Sequence, residues 1–212
     1  SEAQLPRVSG KPLAPYAPRP SAPLGSFTLL DRDTLLAAPR CSSPVPNGEL
    51  RFVEDRRGPP SRAYLKLWEA LTWAGVRPGP GERALDLGSA PGGWTWALAE
   101  LGAEVWSVDK APLAPRVAAR PNVTHWRRSA FSIDPEELGP LDWLFSDVIA
   151  YPPRILRLVE RWLAARPALR VVCTLKFQGE TDHATAARFA ALDGGRLWHL
   201  SHNRHELTFL RL

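Results

Sequence analysis

The run Asp86-Leu-Gly-Ser-Ala-Pro-Gly-Gly-Trp94 constrains this chain more than any other stretch. A short apolar segment, Arg83-Ala-Leu-Asp-Leu87, leads into it, and Trp94-Thr-Trp-Ala-Leu-Ala-Glu-Leu101 follows with the composition of a helix. Strand, glycine-rich turn and helix in that order is how a doubly wound α/β sheet cradles a nucleotide beyond the carboxyl ends of its strands. Small residues let the backbone pass close to a ligand, and glycine accepts the positive φ angles that such turns often need. The turn reads G-S-A-P-G-G, with a proline inside it, and not the G-x-G-x-x-G of nicotinamide binders, which argues against a dehydrogenase.

Other strands are expected to end at the same edge. Glu104-Val-Trp-Ser-Val-Asp109 closes on an acid about 20 residues past the turn, where an acid commonly meets the hydroxyls of a ribose. Pro121–Trp126 is a weaker strand, Leu141–Asp147 ends in a further acid, and Leu169–Leu175 runs into Lys176. Charged groups gathered at one edge of a parallel sheet are poor structure and good site chemistry. Between these strands, Pro59-Pro60-Ser61 reads as a helix start with Ser61 as N-cap. Tyr64, Leu67, Trp68 and Leu71 then form one buried stripe, which places Lys66 on the opposite face. A second helix after Pro152-Pro153 buries Ile155, Leu158, Val159, Trp162 and Leu163 and turns Arg154, Arg157 and Arg161 outward. An alanine-rich helix spans Thr181 to about Leu192, and two strands, Arg196–Leu200 and Glu206–Leu210, finish as an antiparallel pair across a short polar link.

The N-terminal part differs in kind. Residues 1–26 carry six prolines and read as an extended tail or linker. Residues 27–57 suggest a small β-hairpin extension, Phe27–Leu30 against Thr34–Ala37, with Leu50–Val53 as an edge strand; such a piece is not stable alone. Residues 58–212 form the main domain. No apolar run approaches the roughly 20 residues that cross a bilayer, and no charged-then-apolar leader opens the chain, so a cytoplasmic setting without membrane contact is expected. Cys41 and Cys173 match no metal-ligand spacing, and no metal is expected. A net charge of +5 and a pI near 9.7 suit an anionic partner, RNA before others. Of the 27 lysines and arginines only four (Lys11, Lys66, Lys110, Lys176) are lysines. Arginine does not give up its proton and lysine can, so each of these lysines asks for a reason.

The glycine-rich stretch resembles the first motif of S-adenosylmethionine-dependent methyltransferases, and specifically of the FtsJ-like (RrmJ-like) ribose 2′-O-methyltransferases. Pro60-Ser-Arg-Ala-Tyr-Leu-Lys-Leu-Trp-Glu69, Ser107-Val-Asp109, Trp143-Leu-Phe-Ser-Asp147, Leu175-Lys176 and His205-Glu206-Leu-Thr208 are similar to the branch of that family acting on a cytidine of large-subunit rRNA. The likeness runs from about Ser43 to Leu212. It implies a Rossmann-like class I α/β fold, with a doubly wound, mostly parallel sheet and an antiparallel last strand. S-adenosylmethionine is the implied cofactor, and RNA, either rRNA or a ribosomal precursor, the implied partner. The resemblance carries a Lys-Asp-Lys-Glu catalytic tetrad onto Lys66, Asp147, Lys176 and Glu206, in which Lys176 accepts or steers the hydroxyl proton. It assigns the cofactor to Asp86, Gly88, Ser89, Pro91, Gly92, Gly93, Trp94, Asp109, Ser129, Ala130 and Asp147. Two departures stand out. Ser129 occupies a place where the family usually has an acid facing the adenine amine. A proline-rich tail and hairpin stand where that branch carries an RNA-binding THUMP domain, which leaves Arg51, Arg56, Arg57 and Arg62 as candidates for phosphate contacts. A small-molecule methyltransferase of the same fold, or a non-catalytic RNA-binding module of ribosome assembly, are the alternatives.

Overall fold

The computed structural model describes residues 12–212; the start of the proline-rich tail, including Lys11, lies outside the described residues. The chain divides into two units, one up to Glu54 and one from Asp55 to Leu212. In the first, β1 (Ser26–Leu29) pairs antiparallel with β2 (Leu35–Ala38), Ser26 opposite Ala38 and Leu29 opposite Leu35. Asp31 organises the turn by accepting a hydrogen bond from the amide of Asp33 at 2.9 Å. The edge strand expected at Leu50–Val53 does not form; Phe52 makes a single parallel bridge to Leu13. The reason is next to that bridge, since Pro12 and Pro15 have no N–H with which to extend a ladder.

The second unit opens with α1 (Tyr64–Ala74), closed by Gly75 in the left-handed region at φ 73°. Here two expectations are corrected. The N-cap position is Ala63, with no side-chain cap, and Ser61 lies outside the helix. Every residue from Tyr64 to Thr72 is buried, Lys66 included, so α1 has no solvated face along that stretch. Tyr64 meets Trp68 and Trp96 edge-on, with ring centroids 4.6 and 5.4 Å apart, which locks α1 to the next helix.

After α1 the chain alternates strand and helix: β3 (Arg83–Leu87), α2 (Gly93–Glu100), β4 (Glu104–Val108), α3 (Pro115–Ala118), β5 (Val123–Trp126), β6 (Trp143–Ser146), α4 (Pro152–Ala165), β7 (Arg170–Lys176) and α5 (His183–Ala190). Two further strands, β8 (Gly195–Trp198) and β9 (Glu206–Arg211), complete a seven-stranded sheet of order β5-β4-β3-β6-β7-β9-β8. The pairs from β5 through β7 are parallel, while β9 runs antiparallel to both β7 and β8. Both faces are covered, as buried parallel strands require. On β3, Asp86 faces α2, where it meets Thr95, while its neighbours Leu85 and Leu87 join the core cluster of Ile155, Val159 and Trp162 from α4. This is the doubly wound α/β fold that the motif order indicates.

Strand order reverses between β3 and β6, because the chain leaves β3 toward β4 and β5 and returns on the other side. The loops after β3 and β6 therefore flank a crevice beyond the carboxyl ends of the strands, the place where such sheets bind ligands. The four charged strand ends sit on the adjacent strands β4, β3, β6 and β7, with Asp86 inside its strand, Asp109 and Asp147 one residue past theirs, and Lys176 closing β7. On α4 the arginine stripe is partly spent inside the fold: Arg161 donates to the Ile133 carbonyl at 2.8 Å, and Arg154 covers the Phe131 ring at 3.7 Å. Cys173 is fully buried in β7, and burial pushes its thiol well above the ordinary range, which makes it an inert core residue. Among the described residues no helix is long and apolar enough to cross a membrane.

Candidate active site

The turn after β3 is held against its neighbours by its own backbone. The amides of Gly88 and Ser89 donate to the Val108 carbonyl at 2.9 and 3.3 Å, and that of Ala90 donates to Asp109 Oδ2 at 3.0 Å. Gly88 has φ 77°, and a Cβ there would stand 2.6 Å from Val148 Cβ, so both conformation and space demand glycine. Gly93 is closely packed for a different reason. A Cβ on it would lie 2.6 Å from Ser61 Oγ. Trp94 Nε1 donates to the Ala63 carbonyl at 2.9 Å, and Arg116 donates to the carbonyls of Gly58 and Pro59, so the segment carrying Ser61 is pinned onto the start of α2.

These groups enclose a cleft of roughly 360 Å³ whose wall includes Ser61, Asp86, Gly88–Pro91, Gly93, Trp94, Asp109, Asp147 and Lys176. Three of these groups are carboxylic acids and one is a lysine, a charge balance that suits a cation. Asp86 is fully buried; desolvation first, then the charges of Asp147 and Asp109, push its pKa up to about 7, against the pull of the Thr95 hydrogen bond. Its Oδ2 accepts from Thr95 Oγ1 at 2.6 Å, and that hydroxyl continues through Ser107 to Ser89 at 3.1 and 2.7 Å. Its Oδ1, like Ser61 Oγ, is buried without a partner among the described residues. Two orphaned polar atoms in one cleft wall are unusual in a finished interior and fit a ligand that bears donors. Asp109 is steadied by the amides of Ala90 and Ala111, each of which uses one lone pair and leaves others for a diol.

A second cleft, of about 580 Å³, adjoins the first. Lys176, Ala63 and Ile149 line both, and Arg62, Leu65, Lys66, His202, Arg204, His205 and Glu206 complete the second. Its charge is the reverse of its neighbour's, with four cationic side chains to one carboxylate. The four residues assigned to the tetrad meet in a line where the two clefts adjoin, Asp147 on the side of the first. Lys176 Nζ lies 3.1 Å from Asp147 Oδ1 and also donates to the Asp147 carbonyl. Lys66 Nζ bridges Asp147 Oδ1 at 2.9 Å and Glu206 Oε1 at 2.6 Å. Thr174 donates to Asp147 Oδ1 at 2.7 Å, and Asn203 donates to Glu206 at 3.2 Å. The sheet itself sets part of this geometry, because Lys176 and Glu206 are opposite one another in the β7–β9 ladder. Such a cluster of paired charges is costly to bury and is tolerated when each charge is matched. Lys176, at 20 % side-chain exposure, is the most open of the four, while Glu206 is at 7 %.

Not every anticipated residue comes to these clefts. Ser129 and Ala130 are outside the lining of the first: the Ser129 hydroxyl accepts from the amide of Phe131 at 3.3 Å and caps a short 3-10 turn, and Ala130 is in the core. Gly92 is outside it too, set against Val117 and Leu113. Of the four arginines, Arg62 lines the second cleft, Arg56 and Arg57 are exposed on the segment before it, and Arg51 belongs to the other unit beside Glu49. Conversely, Ser61, which its sequence neighbourhood marks as a helix cap, is a cleft residue; nothing in that neighbourhood separates the two roles. Among the described residues no group of three or more His, Cys, Asp or Glu is placed to hold a metal.

Comparison with known proteins addresses the same region. Residues 59–183 match the FtsJ-like methyltransferase family. Proteins named ribosomal RNA large subunit methyltransferase M are similar over most of the chain. The relative from Halorhodospira halophila is 41 % identical over 162 residues, covering 72 % of this chain and 47 % of its own length. That from Alkalilimnicola ehrlichii is 38 % identical over 169 residues, 73 % of this chain and 46 % of the relative. The Methylococcus capsulatus protein is 36 % identical over 190 residues, 82 % of this chain and 53 % of the relative. The chain thus spans about half the length of the curated relatives it matches. With the motif at the strand-order reversal and more than half its residues within the family's bounds, this chain belongs to the FtsJ-like methyltransferases.

Proposed function

We propose that this chain transfers a methyl group from S-adenosylmethionine to a ribose 2′-hydroxyl of RNA, and that the RNA is the large-subunit rRNA of the ribosome. The observation that carries this reading is that Lys176 stands in the wall of both clefts, anchored on Asp147, where donor and acceptor have to meet. S-adenosylmethionine supplies, when bound, an electrophilic methyl group on a cationic sulfonium.

The side chains divide the remaining work. Asp109 takes the ribose hydroxyls with its unused lone pairs, and Asp86 and Asp147 place negative charge along the wall that faces a cation. Ser61 Oγ and Asp86 Oδ1 gain the partners they lack. Lys176, once it has given up its own proton, accepts that of the attacking 2′-hydroxyl through Nζ. Asp147 fixes the direction of Nζ by holding it at both the carboxylate and the main-chain carbonyl. Lys66 balances Asp147 and ties it to Glu206, so that the hydroxyl-binding edge is rigid. Much of the rate then comes from alignment, since holding the reacting atoms in line removes much of the entropic barrier. Arg62 and Arg204 supply phosphate contacts in the second cleft, and Arg56 and Arg57 extend the basic surface along the segment that leads to it. Ile149, 76 % exposed, offers an apolar surface to the nucleobase.

The test is methyl transfer from labelled S-adenosylmethionine to purified large-subunit rRNA, followed by mapping of 2′-O-methyl positions. Label in the RNA at a 2′-oxygen is expected. Label found in small molecules and never in RNA, at any salt concentration, would sink the reading.

A further inference from the structure

One carboxyl and three hydroxyls form an unbroken chain beneath the glycine-rich turn. Asp86 Oδ2 meets Thr95 Oγ1 of α2 at 2.6 Å, Thr95 Oγ1 meets Ser107 Oγ of β4 at 3.1 Å, and Ser107 Oγ meets Ser89 Oγ at 2.7 Å. Thr95 and Ser107 have no exposed surface, while both ends of the chain, Asp86 and Ser89, stand in the wall of the first cleft. Buried hydroxyls cost stability unless they are bonded, and apolar side chains of the same size would fill these two positions at lower cost. Each hydroxyl has one hydrogen, which limits how the chain can be ordered. With Asp86 ionised, Thr95 gives its hydrogen to the carboxylate, Ser107 donates to Thr95, and Ser89 donates to Ser107. Every hydrogen then points inward, and the Ser89 oxygen has only lone pairs left for the cleft. With Asp86 protonated on Oδ2 the order reverses, and the Ser89 hydrogen is released. The charges around Asp86 in this wall are Asp109, Asp147 and Lys176. A cation bound there favours the carboxylate and with it the inward order.

We infer that Thr95 and Ser107 are positioning residues for the methyl donor: they relay the charge of Asp86 and so make the Ser89 hydroxyl an acceptor for the amino group of S-adenosylmethionine. An ammonium has hydrogens and no lone pair. It is held by a hydroxyl that presents oxygen and repelled by one that presents hydrogen. The adenosine part of the donor is neutral and gains nothing from this order. The inference rests on the donor half of the function proposed above and not on the choice of acceptor.

Ser107→Ala cuts the relay and leaves the Thr95–Asp86 bond in place. The readouts are the melting temperature and calorimetric Kd values for three ligands: S-adenosylhomocysteine, its analogue with hydrogen in place of the amino group, and 5′-methylthioadenosine. The Kd for S-adenosylhomocysteine is expected to rise about tenfold, the loss of one charge-assisted hydrogen bond, while the two ligands without an amino group change by less than about twofold. Ser89→Ala leaves the buried links untouched and should give the same pattern, which keeps the test open should Ser107→Ala fail to fold. The two substitutions combined should add little to either alone, since both act on one contact. Thr95→Ser keeps the hydroxyl and should bind all three ligands as the wild type does. An unchanged Kd for S-adenosylhomocysteine in Ser89→Ala, or equal weakening of all three ligands, overturns the inference. Failure of the unaltered protein to bind S-adenosylhomocysteine overturns the reading of the donor, and this inference with it, and is seen before any substitution is made.

Discussion

The two clefts share Lys176, Ala63 and Ile149 and are made by opposite means. The first is mostly backbone. One contiguous turn supplies Gly88 to Pro91, Gly93 and Trp94, the strand ends add Asp86, Asp109 and Asp147, and the charge is acidic. The second is made of side chains drawn from α1, the end of β7, the 199–205 connection and the start of β9, and its charge is basic. A backbone site recognises a ligand through shape and amides, which tolerate little change in sequence. A side-chain site recognises through charge at chosen points, and each point can be altered on its own. The difference teaches where substitutions act: in the donor cleft they should change occupancy, in the acceptor cleft turnover and RNA affinity.

The sharpest break between them is Lys176→Ala. Turnover is expected to fall at least a thousandfold, on the scale of general base catalysis, while the Kd for S-adenosylmethionine measured by calorimetry changes little. Equal losses of binding and turnover would dissolve the distinction. Asp86→Asn acts on the donor side alone. Asp86 has its pKa raised from 3.8 to about 7, so the folded state holds this proton more tightly than the unfolded chain. Stability from this group is full below the unfolded value and is lost as pH rises toward 7. Denaturant melts should show the wild type losing up to about 4 kcal/mol across that window and the asparagine variant much less. In the same window cofactor affinity of the wild type should rise with pH, because a cation favours the carboxylate form.

Gly88→Ala should cost about 3 kcal/mol in stability or cofactor binding, from a strained positive φ plus a methyl against Val148. Ser61→Ala should weaken S-adenosylmethionine binding by about tenfold, the worth of a buried hydrogen bond, with no change in KM for RNA. At the small end is Ser129→Ala. Its hydroxyl already serves the Phe131 amide, so a change in cofactor Kd of less than about twofold is expected by the same titration.

How much of this was legible follows the same division. The turn at Asp86–Trp94 is contiguous, so its composition and the strand before it point to the first cleft and to the fold around it. The tetrad was reached from the scarcity of lysines and a family likeness, and the structure brings its members into one line. Helical periodicity sets Lys66 opposite the buried stripe, and that face is buried as well because Asp147 and Glu206, from strand ends elsewhere in the chain, meet it, which no local period records. Ser61 shows the same limit, since a serine after two prolines looks like a cap whether or not its hydroxyl points into a cleft.

The near contact of Gly88 with Val148 has a consequence for engineering. The glycine-rich loop and the loop that carries Asp147 fit together like two teeth of one gear, with no room for a side chain at Gly88. A donor loop transplanted from a relative would bring its own spacing and would meet Val148 at the wrong height. Residues 88–94 and 147–149 are therefore one exchangeable part, although more than fifty residues of chain separate them. On the reading proposed above, specificity for the methyl donor cannot be rewritten in this scaffold without also resetting Asp147, which holds Lys176.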